Sequence, residues 1–196
     1  MPAPPRTPPA IRHQAFPTPG ELDAWLSRHH ATETELWVRV FKKGSGTPSV
    51  TWDDLVIAGL TWGWIDGQKK SLDEASFLQR ITPRRPKSGW SKKNCAHAER
   101  LIAEGRMQPS GLVHVEAAKK DGRWDRAYAG AKEMTIPEDF LKALKKSRPA
   151  TQTYATLNRT NLFSIYHRLH TAKTPETRAR RIATIVDMLA RGERFH

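Results

Sequence analysis

Residues 63–94 read GWIDGQKKSLDEASFLQRITPRRPKSGWSKKN, and their punctuation predicts a hairpin that runs into a basic loop and then a helix. GWIDGQKK leaves a preceding helix as one strand, Ser71, Leu72, Asp73 and Glu74 turn the chain, and SFLQRIT returns as the next strand. Pro83 and Pro86 stop further pairing, because proline cannot donate to a sheet ladder. The loop then delivers the chain to a helix from about Ser91 to Glu104, with Gly105 suited to its end.

Upstream, Pro19, Glu21, Leu22, Trp25 and Leu26 give a short helical pattern with Thr18 as cap, ending around His29 and His30. In ELWVRVFKK, Leu36, Val38 and Val40 fall on one face of a strand and Trp37, Arg39 and Phe41 on the other. Gly44, Ser45, Gly46 and Pro48 make a turn-rich loop without the Gly-Lys-Ser/Thr ending that a phosphate-binding P-loop requires. Thr51 and Asp54 then form a capping arrangement for the helix TWDDLVIAGLTW.

Downstream, a helix is expected from Pro109 to Gly122, and RWDRAYAGAKEMT reads as a connector. Segments 137–147, 149–157, 159–171 and 175–191 are helical in pattern, the last with Thr174 as cap, Pro175 in its first turn and Gly192 past its end. Its periodicity turns Ala179, Ile182, Ala183, Val186 and Leu189 inward and leaves Arg178 and Arg181 toward water or a ligand. The expected organisation is α+β. A proline-rich tail (1–15) precedes a small, mainly antiparallel sheet flanked by helices (16–122); a connector (123–136) then leads to a helical C-terminal region (137–196). The two regions are free to share one core.

The net charge of +13 and isoelectric point near 10.2 imply attraction to nucleic acid, anionic membrane surfaces or phosphorylated small molecules. Cys95 is the single cysteine, which excludes an internal disulfide and a multi-cysteine zinc site and fits a reducing cytoplasm. It shares an apolar helical stripe with Ala98, Leu101 and Ile102, and so reads as a small core residue. No apolar run has the length of a signal peptide or a membrane span, so a cytoplasmic location without membrane insertion is expected.

From Arg80 to Arg106 the chain carries eight Lys or Arg against Glu99 and Glu104. Arg84, Arg85, Lys87, Lys92 and Lys93 surround Ser88, Gly89 and Ser91, so fixed charge, hydroxyls and helix-start amides should converge on an anion. The expected ligand-binding set is Arg84, Arg85, Lys87, Ser88, Ser91 and Lys92, with Arg39 joining if its strand face meets the loop. The partner would be an anionic small molecule. A nucleic acid is the alternative, with exposed Trp37 or Trp90 supplying stacking. Asp66 in GWIDG is the one candidate acid or base, against a structural role in capping the turn or pairing with Arg80. His167 and His170 share a helix face but do not complete a metal site. No nucleophile elbow is present, and no cofactor or metal is expected.

Three motifs resemble the bacteriocin-protection, YdeI/OmpD-associated family: GWIDG (63–67), PRRPKSGWSKKN (83–94) followed by LIAEGRM (101–107), and AKTPETRARRIATIV (172–186). The resemblance covers roughly residues 17–194. It implies a role in protection against bacteriocins or cationic antimicrobial peptides and an association with an outer-membrane porin. It implies no catalytic triad and no cofactor. A strongly cationic chain should repel cationic peptides, so the expected protection is indirect and non-enzymatic.

Overall fold

Alternation in LWVRVF builds a strand whose Leu36, Val38 and Val40 are buried, as a two-residue period requires. In the computed structural model, which describes residues 11–195, this strand is β2 (Leu36–Phe41). The sheet also contains β1 (Gln14–Ala15), β3 (Trp64–Ser71) and β4 (Ser76–Pro83), in the order β1-β2-β4-β3. β4 is antiparallel to both neighbours, whereas β1 is parallel to β2. The helices are α1 (Pro19–His29), α2 (Trp52–Trp62), α3 (Lys92–Ala103), α4 (Pro109–Lys120), α5 (Glu138–Leu144), α6 (Arg148–Tyr154), α7 (Arg159–His170) and α8 (Pro175–Ala190). The architecture is α+β, as the hairpin between residues 63 and 83 predicts.

Of the tail expected over residues 1–15, residues 1–10 lie outside the described residues. Its last residues are sheet, a correction to the reading of an unstructured lead-in. Phe16 enters the core, and its carbonyl accepts the Val50 amide at 2.9 Å, which holds Gln14 and Ala15 against β2.

Two compact units are present. One comprises the described residues up to Trp90 together with Asn94–Asp125; the other comprises Ser91–Lys93 and the described residues from Arg126 onward. The core of the first gathers Leu22 and Leu26 of α1, the β2 triplet, Leu55 and Ala58 of α2, Trp64 and Ile81. The capping box at Thr51 and Asp54 starts α2, and Gly63 ends it in the left-handed conformation, φ 77°. α4 packs closely on this end, since a Cβ at Gly111 would lie 2.4 Å from the Leu60 carbonyl oxygen.

β3 carries a bulge, with Gly67 and Gln68 facing Arg80 between the pairs Asp66–Ile81 and Lys69–Gln79. The buried amide of Gln79 fills it, Nε2 donating to the carbonyls of Gly67 (3.0 Å) and Gln68 (3.3 Å). Beyond the bulge, the Lys69 ammonium lies over the Phe77 ring and that of Lys70 over Trp37.

The second unit packs Phe140 and Leu144 of α5, Ala150 of α6, Ile165 and Leu169 of α7, and Ile185 and Leu189 of α8. Two readings are corrected here. Residues 126–136 are more than a connector: Ala127, Ala129 and Met134 are buried, and the Ala129 amide donates to Tyr166 Oη at 2.9 Å. On α8, Ala179 and Ala183 are exposed, while Ile182, Ile185, Val186 and Leu189 form the inward stripe. Both phases satisfy a helical period, and the larger side chains win because they bury more apolar surface.

Candidate functional site

Arg84 is the basic-loop residue whose position departs most from expectation. Its amide donates to the carbonyl of Gly63, the glycine that ends α2, at 2.9 Å, and its side chain is 4% exposed. Nη1 donates to the Gly89 carbonyl at 2.9 Å, and the guanidinium stacks on Trp90, 4.0 Å from the ring centroid. Trp90 meets Trp124 at 4.9 Å, and the Lys119 ammonium lies 5.0 Å from the centre of Trp124. Arg84 is therefore an internal brace from which a ligand is shielded. This corrects its expected place in the anion-facing set. A carbonyl and a ring face both favour an inward guanidinium over an exposed one.

The bracing shapes what lies above it. Arg123 donates to the Ser88 carbonyl at 2.7 Å while paired with Asp121, and the Ser88 amide donates to the Arg85 carbonyl at 3.0 Å. The loop is thus tied at Ser88 and Gly89 and presents Arg85 and Lys87 as exposed cations, with no ion pair among the described residues. Ser91 and Lys92 group with the second unit, where Ser91 bridges to Tyr128 and the Lys92 amide donates to the Tyr128 carbonyl at 2.9 Å. That bond engages an amide that the sequence assigned to an anion. Lys92 itself is exposed.

Arg39 is occupied as well. Its Nη2 pairs with Asp73 at 2.7 Å, Nε donates to Ser76 Oγ at 2.9 Å, and the guanidinium lies over Phe41. Foremost the Ser76 hydroxyl, which donates to Asp73 Oδ1 at 2.8 Å, and then the Ser76 and Ala75 amides and the Arg39 charge, hold the Asp73 carboxyl below its ordinary range. Arg39 thus closes a polar knot on the β2–β4 pair and is no free anchor for a ligand.

Asp66 accepts the indole N–H of Trp52 at 3.2 Å, and Arg80 pairs instead with Glu35 at 2.7 Å. Trp37 and Trp90 are 7% and 2% exposed, so neither offers the stacking face that the nucleic-acid reading requires. Cys95 is buried, and burial foremost pushes its thiol up to about 11. Among the described residues, no group of three or more His, Cys, Asp or Glu could hold a metal, and no helix is long and apolar enough to cross a membrane.

A further feature escaped the sequence reading. In the second unit, α7 and α8 border a groove of about 550 Å³ lined by Phe163, His167 and Arg168 on one side and Arg180, Arg181 and Ile185 on the other, with Phe195 beside them. Burial, followed by the charges of His170, Arg168 and Arg181, lowers the pKa of His167, which favours its neutral form. His170 is held by the Arg126 carbonyl at 2.8 Å. The charge-only signal that could have found this groove is the run Arg178, Arg180, Arg181; the helical period separates Arg178, which pairs with Asp139 at 2.6 Å, from the other two.

These elements define a basic α+β protein with a braced cationic loop and an arginine-lined helical groove. The chain belongs to the family described as "Domain of unknown function (DUF8412)", which matches residues 14–114. Residues 133–192 match the family described as "Bacteriocin-protection, YdeI or OmpD-Associated", the family that the motifs resemble. Of those motifs, the terminal one falls within this second match, while GWIDG and the basic stretch fall within the first. No curated protein and no solved structure matches the chain.

Proposed function

We propose that the chain is a non-enzymatic cytoplasmic protein of stress or envelope protection, of the kind that confers resistance to bacteriocins or antimicrobial peptides, and that it binds an anionic ligand at its basic loop. The supporting observation is the braced loop itself. Arg84 and Arg123 hold its carbonyls from within, so the exposed Arg85 and Lys87 are presented on a backbone already ordered before a ligand arrives. The match of residues 133–192 to the bacteriocin-protection family supports the protective role. With a net charge of +13, the chain would act on an anionic small molecule rather than by sequestering cationic peptides. Association with a porin remains part of the resemblance and adds no contact to this reading.

The test is a panel of phosphate- and carboxylate-bearing small molecules, followed by thermal shift and calorimetry on the full chain and on Arg85→Ala plus Lys87→Ala. Arg84 is left intact because its loss would disturb the fold. Expected is at least one ligand that raises the melting temperature of the wild type and has a much smaller effect on the variant. A panel without any such ligand, or equal binding by both proteins, would refute the loop as the site.

A further inference from the structure

The α7–α8 groove gathers three arginines of its unit around one hollow. Elsewhere in that unit, Arg178 closes on Asp139 and Arg191 on Glu193. Arg168, Arg180 and Arg181 line the groove with no carboxylate among its lining residues and no ion pair among the described residues. Three guanidiniums around one hollow repel one another, and an anion between them would relieve that repulsion.

Two of the three are positioned by the fold. Nη1 of Arg181 donates to the Arg168 carbonyl and, at 3.1 Å, to Thr171 Oγ1, which fixes the guanidinium at the end of α7. The Arg168 guanidinium lies over Phe195, 4.3 Å from the ring centre, and a guanidinium held on a ring keeps N–H donors for oxygen acceptors. Phe195 is itself held by Asn161, whose Nδ2 donates to its carbonyl at 2.5 Å. Arg180 is exposed and makes no side-chain hydrogen bond among the described residues. Phe163, Ile185 and Phe195 give the hollow an apolar part beside the polar Ser164, His167, Thr171 and Thr184, and its size suits a small organic molecule.

We propose that this groove binds a phosphate monoester whose organic group is aromatic or aliphatic. A phosphate dianion offers three oxygens and two charges to several guanidiniums at once, whereas a monocarboxylate offers two oxygens and one charge. The apolar lining takes the organic group. The groove shares no lining residue with the Arg85–Lys87 loop, so either reading can fail without the other.

Calorimetry with phenyl phosphate and with inorganic phosphate tests the free form, and sedimentation with vesicles containing phosphatidic acid tests the lipid-borne form of the same chemistry. Phenyl phosphate is expected to bind saturably and more tightly than inorganic phosphate if the ligand is free; vesicle binding identifies a lipid-borne ester. In either case Arg180→Glu should lower affinity about tenfold or more, through the loss of one charge-assisted hydrogen bond and the reversal of its charge, without lowering the melting temperature. Arg85→Ala plus Lys87→Ala should leave that affinity unchanged. Absence of binding in both arms, an unaltered affinity in Arg180→Glu, or loss of binding in the loop variant would each overturn the proposal.

Discussion

Replacing Gly111 by alanine should destabilise the first unit, although alanine is the better helix former. Gly111 lies in the first turn of α4, where an added Cβ would stand 2.4 Å from the Leu60 oxygen, 2.5 Å from that of Thr61 and 2.7 Å from Met107 Sδ. The Met107 side chain can move aside, but the two oxygens belong to the last turns of α2 and cannot, so the helices must part. Overpacking of this kind costs about 1–3 kcal/mol, and alanine returns at most about 1 kcal/mol of helix propensity. The net loss is about 1–2 kcal/mol, which for a chain of this length lowers the unfolding midpoint by about 2–8 °C. Thermal unfolding followed by far-ultraviolet circular dichroism reads it directly. Gly20→Ala in α1 is the control, because its nearest neighbour would be Thr18 Oγ1 at 4.0 Å; it should leave stability equal or raise it by about 0.4–1 kcal/mol. A Gly111→Ala midpoint at or above wild type would refute the close helix approach.

Two other outcomes follow from titratable groups. With its thiol pushed up to about 11, Cys95 should react with iodoacetamide at pH 8 far more slowly in the native protein than in urea; equal rates would contradict its burial. The Asp139 carboxyl is held below its ordinary value, chiefly by its hydrogen bond from Arg178. Its contribution to stability is therefore complete above the unfolded value of about 3.9 and is lost as pH falls through the lower folded value. The stability gap between wild type and Asp139→Asn in urea should accordingly be present at pH 6 and shrink on acidification; a gap that persists unchanged at low pH would count against the pair.

The hairpin was legible because prolines, turn residues and alternation agree locally, and Thr51 with Asp54 announced the start of α2 in the same way. The directions of individual cations were not. Nothing in PRRPKSGW separates Arg84, which turns inward onto Trp90, from Arg85, which faces out; the difference depends on Gly63 and Trp124, remote in sequence. Arg39 looked available because its partner, Asp73, arrives from the turn of the hairpin, remote in sequence. The α8 stripe was misphased because Ala179 and Ala183 fit the period as well as Ile185 does. β1 was missed because two residues carry no periodicity, and only the burial of Phe16 marks where they dock.

The kinked course of β3 also bears on self-association. A flat outer strand offers its unpaired backbone groups as a template on which further copies can add, the first step toward fibres. The extra residue at Gly67–Gln68 spoils that register, and the ammonium groups of Lys69 and Lys70 would bring like charges together in any strand laid alongside. Straightening and neutralising this margin would leave the native hydrophobic interior untouched while removing its protection against polymer growth.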